Sequence, residues 1–233
     1  MRFMLLLLVV ATLAASNKSD LTGETTPFAC TSTRVNCLSN RELVGAIRNL
    51  SSDDRARVDQ AHLLLMKQAN VSPRCRRQII QTLMKAMDTP KLDFGRNIQS
   101  YHLWLHGAEL LGDLKATEAL DLLISHLKLT HPIFSSSMNH QPALIGVIEM
   151  GPIAIPKLSE TLRHNIDPVV RYSVVYAIAS IGGESARTAL KEDLIMETDD
   201  CAKRLVRVSL DSLDEQGNIR DRMAWFANFT CNH

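Results

Sequence analysis

Three times in this chain an Ala is followed, four and eight residues later, by Leu: Ala119, Leu123, Leu127, then Ala154, Leu158, Leu162, then Ala186, Leu190, Leu194. The copies are 35 and 32 residues apart. A step of four keeps one stripe of a helix apolar, and a second apolar helix precedes each copy, so every unit is a helix pair with a face it cannot bury alone. Such units stack. The pattern therefore predicts an all-α chain arranged as an α-solenoid, a right-handed superhelix of helical hairpins whose product is a surface.

Composition agrees with that reading. The chain has 233 residues, 45% of them hydrophobic and only 5% aromatic, a balance that suits helix-on-helix packing better than a β-sandwich. Lys and Arg number 26 against 25 Asp and Glu, giving a net charge of +1. No global field steers the molecule toward nucleic acid, and no nucleic-acid partner is expected.

The first sixteen residues read as a secretory signal. Met1 and Arg2 form a short positive end, Phe3 to Leu13 are apolar except for Thr12, and Ala14, Ala15 and Ser16 supply small residues for cleavage. Secreted or periplasmic export is expected, with no membrane contact beyond this segment. Outside the reducing cytosol the five cysteines can pair. Cys30 and Cys37, seven residues apart in a Ser- and Thr-rich stretch, are the expected disulfide. Cys75 sits among Arg74, Arg76 and Arg77, where neighbouring charge favours a thiolate, but no positioned His accompanies it.

Residues 17–38 are polar and read as a flexible leader, 39–97 as N-terminal helices forming a capping repeat, 98–213 as the repeat array and 214–233 as a C-terminal cap. Ser39, Ser51 to Asp53, and Ser72 with Pro73 mark helix starts in the capping region. Within the array, Tyr101–Leu111, a turn from Gly112 to Lys115, and Thr117–Leu127 make the first hairpin. Pro142–Met150 and Ala154–Leu162 flank a turn at Gly151 and Pro152, and a helix from Asp167 and Pro168 to Ile181 precedes Gly182, Gly183 and Ser185–Leu194. A helix over about Cys201–Leu213 and a short one over Ile219–Phe229 are expected at the end.

Asp167, Pro168, Val169, Val170 and Arg171, followed by Val174, Val175, Ala177, Ile178, Ile181 and Gly182, then Ala186 and Leu190, resemble the HEAT-like repeat of the phycobilisome-lyase type. Leu110, Leu111, Gly112, Asp113, Ala119, Leu123 and Leu127 follow the same pattern, and Met150 to Leu162 follow it in part. The resemblance implies a solenoid of HEAT-like hairpins and covers residues 98–213, with 58–97 matching loosely. It implies no single activity, because the family includes scaffolds, partner adaptors and a few enzymes. Related iron-dependent hydroxylases bind metal through His-Glu dipeptides, and none of the eight His here precedes a Glu. Chromophore-lyase chaperoning, an intracellular task of some relatives, fits poorly with export.

Several residues are candidates for function. His102, His106 and Glu109 fall on one predicted helical face at metal-ligand spacing, although no second ligand pair accompanies them. A longer connection after Leu127 carries Ile133, Phe134 and Met138, a candidate partner-binding tip. Arg171, Tyr172 and Tyr176, with Arg204 and Arg207 near the start of the next repeat, offer an Arg and Tyr stripe of the kind that contacts a peptide or protein. Asn17, Asn49, Asn70 and Asn228 stand in Asn-x-Ser/Thr frames. Ser-His-Asp arrays, Gly-rich phosphate loops and paired carboxylates in a recognisable frame do not occur. The function expected is that of a non-enzymatic scaffold for a protein or peptide partner, with no cofactor. The alternative is a metal-dependent enzyme using His102, His106 and Glu109.

Overall fold

Helices in this chain begin where a side-chain oxygen satisfies backbone N–H groups that the first turn leaves free. In the computed structural model Ser39 Oγ accepts from Glu42 N at 3.3 Å while the Glu42 carboxylate accepts from Ser39 N at 2.8 Å, a reciprocal capping box that opens α1, Asn40–Asn49. Asp54 caps α2, Arg55–Ala69, through Ala56 N, and Ser72 caps α3, Pro73–Met87, through Cys75 N. Asp167 accepts from Val169 N and Val170 N to open α8, Pro168–Ile181, with Pro168 filling a first-turn position that needs no N–H. The structure describes residues 36–88, 98–129 and 141–214, all within one compact unit, Val35–His233.

The remaining helices are α4, Ile98–Asp113; α5, Leu120–Ser125, entered through a 3-10 turn at Thr117–Ala119; α6, Pro142–Met150; α7, Ile155–His164, entered through a second 3-10 turn at Gly151–Ala154; α9, Gly183–Met196; and α10, Asp200–Asp214. No strand occurs among the described residues. The all-α class is thus observed. Packing follows chain order: α1 lies on α2 and α3, α2 on α3 and α4, α3 on α4, α4 on α6, α5 on α6, α6 on α8, α7 on α8 and α9, and α8 and α9 on α10. One contact, α1 with α4, reaches three helices along. A single apolar cluster runs from Leu43 to Leu210, and the repeated Leu123, Leu158 and Leu190 are all fully buried in it.

Two local expectations are corrected. Gly112 is not part of a turn: it is buried in the last turn of α4, where α6 crosses. A Cβ there would lie 2.5 Å from Glu149 Cβ and 2.8 Å from the Gly146 carbonyl, so the two backbones approach only because both positions lack side chains. The left-handed residue that turns the chain is Lys115, at φ 50°. Gly151 and Gly182 do occupy left-handed positions, at φ 71° and 70°. The helix expected over Ile219–Phe229 lies outside the described residues.

The cysteine pairing is the second correction. Cys37 is bonded to Cys75, not to Cys30. Spacing along the chain favours the short loop, but Cys37 just precedes α1, Cys75 lies in the first turn of α3, and the packing of these helices brings their Cα atoms to 5.2 Å. Cys75 is therefore no thiolate nucleophile. Cys201 is disulfide-bonded as well. Among the described residues no helix is long and apolar enough to cross a membrane.

Candidate functional site

Helical spacing does place His102 and His106 on one face of α4, with ring centres 6.4 Å apart. Each ring, however, faces its own acid. His102 Nδ1 lies 3.0 Å from Asp53 Oδ1 in the loop before α2, and His106 Nδ1 lies 3.4 Å from Glu109 Oε2. A third pair joins α2 to the end of α4, His62 Nε2 to Asp113 Oδ2 at 2.9 Å. The hydrogen bond with His106 holds the Glu109 carboxyl below the usual carboxylate range; burial opposes it, and the neighbouring His62, His106 and Arg55 add to it. The arrangement ties the start of α2 and its body to α4 through separate pairs. Among the described residues no three or more His, Cys, Asp or Glu side chains are grouped to hold a metal.

Ser125 and His126 form a contact that sequence reading passes over. Ser125 Oγ donates to the Leu122 carbonyl at 2.8 Å, and His126 Nδ1 lies 2.8 Å from the same oxygen and 2.9 Å from Ser125 Oγ. A carbonyl only accepts, so Nδ1 must carry its proton, and that nitrogen cannot serve as a base for the serine. The ring instead packs against Trp104, centres 4.6 Å apart. The pair is a helix terminus, not a dyad.

The Arg and Tyr stripe is largely spent inside the protein. Arg171 donates to the carbonyls of Leu162 at 3.2 Å and Asn165 at 3.4 Å, and its other nitrogen pairs with Glu197 Oε2. Glu197 is 8% exposed, and its second oxygen accepts from Thr198 N and Asp199 N at 2.7 and 2.9 Å. This knot fastens the end of α7, the start of α8 and the end of α9. Tyr176 is 3% exposed, which takes it out of any contact surface, while Tyr172 is partly buried and Arg204 and Arg207 stay exposed on α10. Ile133, Phe134 and Met138 lie outside the described residues.

Beside the knot the structure shows a feature that no motif announced. A cavity of about 330 Å³ opens between α7 and α9, with Leu162 and Arg163 on one side and Ala189, Asp193, Ile195 and Met196 on the other. Ile195 and Met196 are 81% and 72% exposed. Asp193 is buried, and its Oδ2 has no hydrogen-bond partner among the described residues. Burial pushes its carboxyl above the usual range, and the charge of Arg171 pulls it partly back. A second cavity of about 410 Å³ lies on the other side of Arg163, over the knot, where Ile166 is almost fully exposed. One sequence signal was available: Leu194, Ile195 and Met196 extend the apolar stripe by two residues that a single buried face does not need. No known family model and no curated protein matches the chain.

Proposed function

We propose that this chain is an exported HEAT-like-repeat solenoid that acts as a non-enzymatic binding module for a protein or peptide. The observation that carries the reading is the α7–α9 groove, an open apolar slot with Ile195 and Met196 standing exposed at its edge. Exposed apolar side chains grouped beside an apolar cavity are a feature of contact sites. The chain-order packing and continuous core are what stacked hairpins produce, and they support the solenoid reading. The Cys37–Cys75 bond supports export, because such bonds persist in oxidising compartments. The polar clusters support binding over catalysis: each histidine of α2 and α4 lies beside a different acid, and Arg171 is committed to Glu197.

The test is affinity capture from the culture medium or periplasm of the producing cell, with wild-type protein and the double variant Ile195→Asp, Met196→Asp as parallel baits. The expected result is a partner retained by wild type and lost by the variant. Retention of the same proteins by both baits removes the groove from the function, and retention of none under several ionic conditions counts against a binding module.

A further inference from the structure

The α7–α9 groove combines apolar walls with one buried acid. Leu162 and Ala189 supply apolar surface, the exposed Ile195 and Met196 extend it outward, and Asp193 lines the same space. A buried carboxyl oxygen with no donor is an unfavourable thing to keep, and a neutral apolar group filling the slot would leave it without one. The internal cation whose charge acts on it does not supply the donor: Arg171 is held by Glu197 and two backbone carbonyls. Arg163 and Glu192, both exposed on the lining, offset one another, so Asp193 sets the net charge of the slot. Its occupant must bring an apolar body and a cationic head together.

Lysine and arginine side chains have that construction, a methylene stem ending in N–H donors. Building on the binding function proposed above, we infer that the α7–α9 groove receives a lysine or arginine side chain of a partner polypeptide, with its stem along Leu162 and Ala189, its head neutralising Asp193, and apolar neighbours of that residue resting on Ile195 and Met196. The cavity volume of about 330 Å³ suits one long side chain with part of a flanking residue, at the small end of the range for binding pockets. An acidic side chain is repelled by Asp193. Charge pairing in a slot that excludes water also makes this contact selective.

The experiment uses the whole chain and a library of acetylated hexapeptides, each with a central Arg, Lys, citrulline, norleucine or Glu among Leu, Ile, Val and Ala, read by fluorescence anisotropy. Arg and Lys peptides are expected to bind about tenfold or more tightly than their citrulline and norleucine counterparts, the usual size of a desolvated charge contact. Asp193→Asn should abolish that preference while leaving thermal stability no lower than wild type. Equal binding of Arg and citrulline peptides to wild-type protein overturns the proposal and needs no variant. So does a preference that survives in Asp193→Asn, or failure of the whole library to bind. A partner captured through Ile195 and Met196 would still stand in each of those cases, so the binding function fails separately.

Discussion

The Arg171–Glu197 pair shows how much one buried contact decides. Glu197 keeps 4% of its side chain in water and Arg171 20%, so removing the guanidinium leaves a carboxylate with no way back to solvent. Truncating one partner of such a pair costs about 3–5 kcal/mol, far above the value of a surface ion pair. Arg171→Met should therefore lower the urea midpoint sharply, and Glu197→Gln in the same chain should restore part of the loss. Asp193 responds to pH in the opposite sense from an ordinary ion-paired acid. Its folded carboxyl is raised by burial above the unfolded value of about 4, so the folded state holds the proton longer, and stability is lost as pH rises from that value through the raised one. Asp193→Asn, which cannot ionise, should melt higher than wild type at pH 7, and the gap should close as pH falls toward about 4. The lowered carboxyls of Glu109 and Asp167 lose stability on acidification in both proteins and cancel from the difference. Neither role was legible in the sequence. Glu197 lies 26 residues from Arg171, and Asp193 reads as one more polar residue on a helix until folding closes α7 over it.

At the scale of elements the sequence was most informative where the signal is local. Ser72 with Pro73 and Asp167 with Pro168 each mark a helix start within two residues, and both helices begin there. Gly112 was misread for the complementary reason: glycine at a helix end and glycine at a helix crossing look alike until the partner helix is placed. The two cases separate experimentally. In α1, a Cβ on Gly45 meets nothing within 4 Å, so Gly45→Ala should stabilise by up to about 1 kcal/mol through helix propensity. On Gly146 the added carbon would sit 2.5 Å from the Ala108 carbonyl oxygen, so Gly146→Ala should destabilise by about 1–3 kcal/mol despite the same gain in propensity. Urea titration of the two single variants reads both signs. The disulfide was missed on the same ground as the crossing, since pairing Cys37 with Cys75 depends on α1 and α3 being neighbours in space. It closes a loop across a separation of 38 residues, and by chain entropy its loss should cost about 4 kcal/mol. Replacing both cysteines with Ser should lower the melting temperature, and because the Cys201 bond remains in the variant, reductant should lower the melting temperature of wild type by more than it lowers that of the variant.

For the whole molecule, periodicity and composition announced an all-helical chain, because a stripe repeated every four residues is a statement about burial that neighbouring hairpins must satisfy. They carried no information on which face stays open, since that depends on where α7 and α9 diverge. The proposed solenoid makes a demand of its own on stability. In a stacked array each unit is held by its own interior and by contacts with the units on either side, so a unit in the middle loses two interfaces when its core fails and a unit at the end loses one. Leu158 in α7, midway along the array, is fully buried, whereas Leu213, next to the last residue of α10, is only partly buried against the core. Leu158→Ala should cost about 3 kcal/mol and Leu213→Ala about 1 kcal/mol or less, in line with the difference between a closed and an open site. With Asp at the same two positions, Leu158→Asp should unfold the array and Leu213→Asp should leave the native helices protected in hydrogen exchange. Equal losses at the two positions would mean that the helices form one cooperative globule in which chain order carries no energetic weight, and the solenoid would then have to be abandoned.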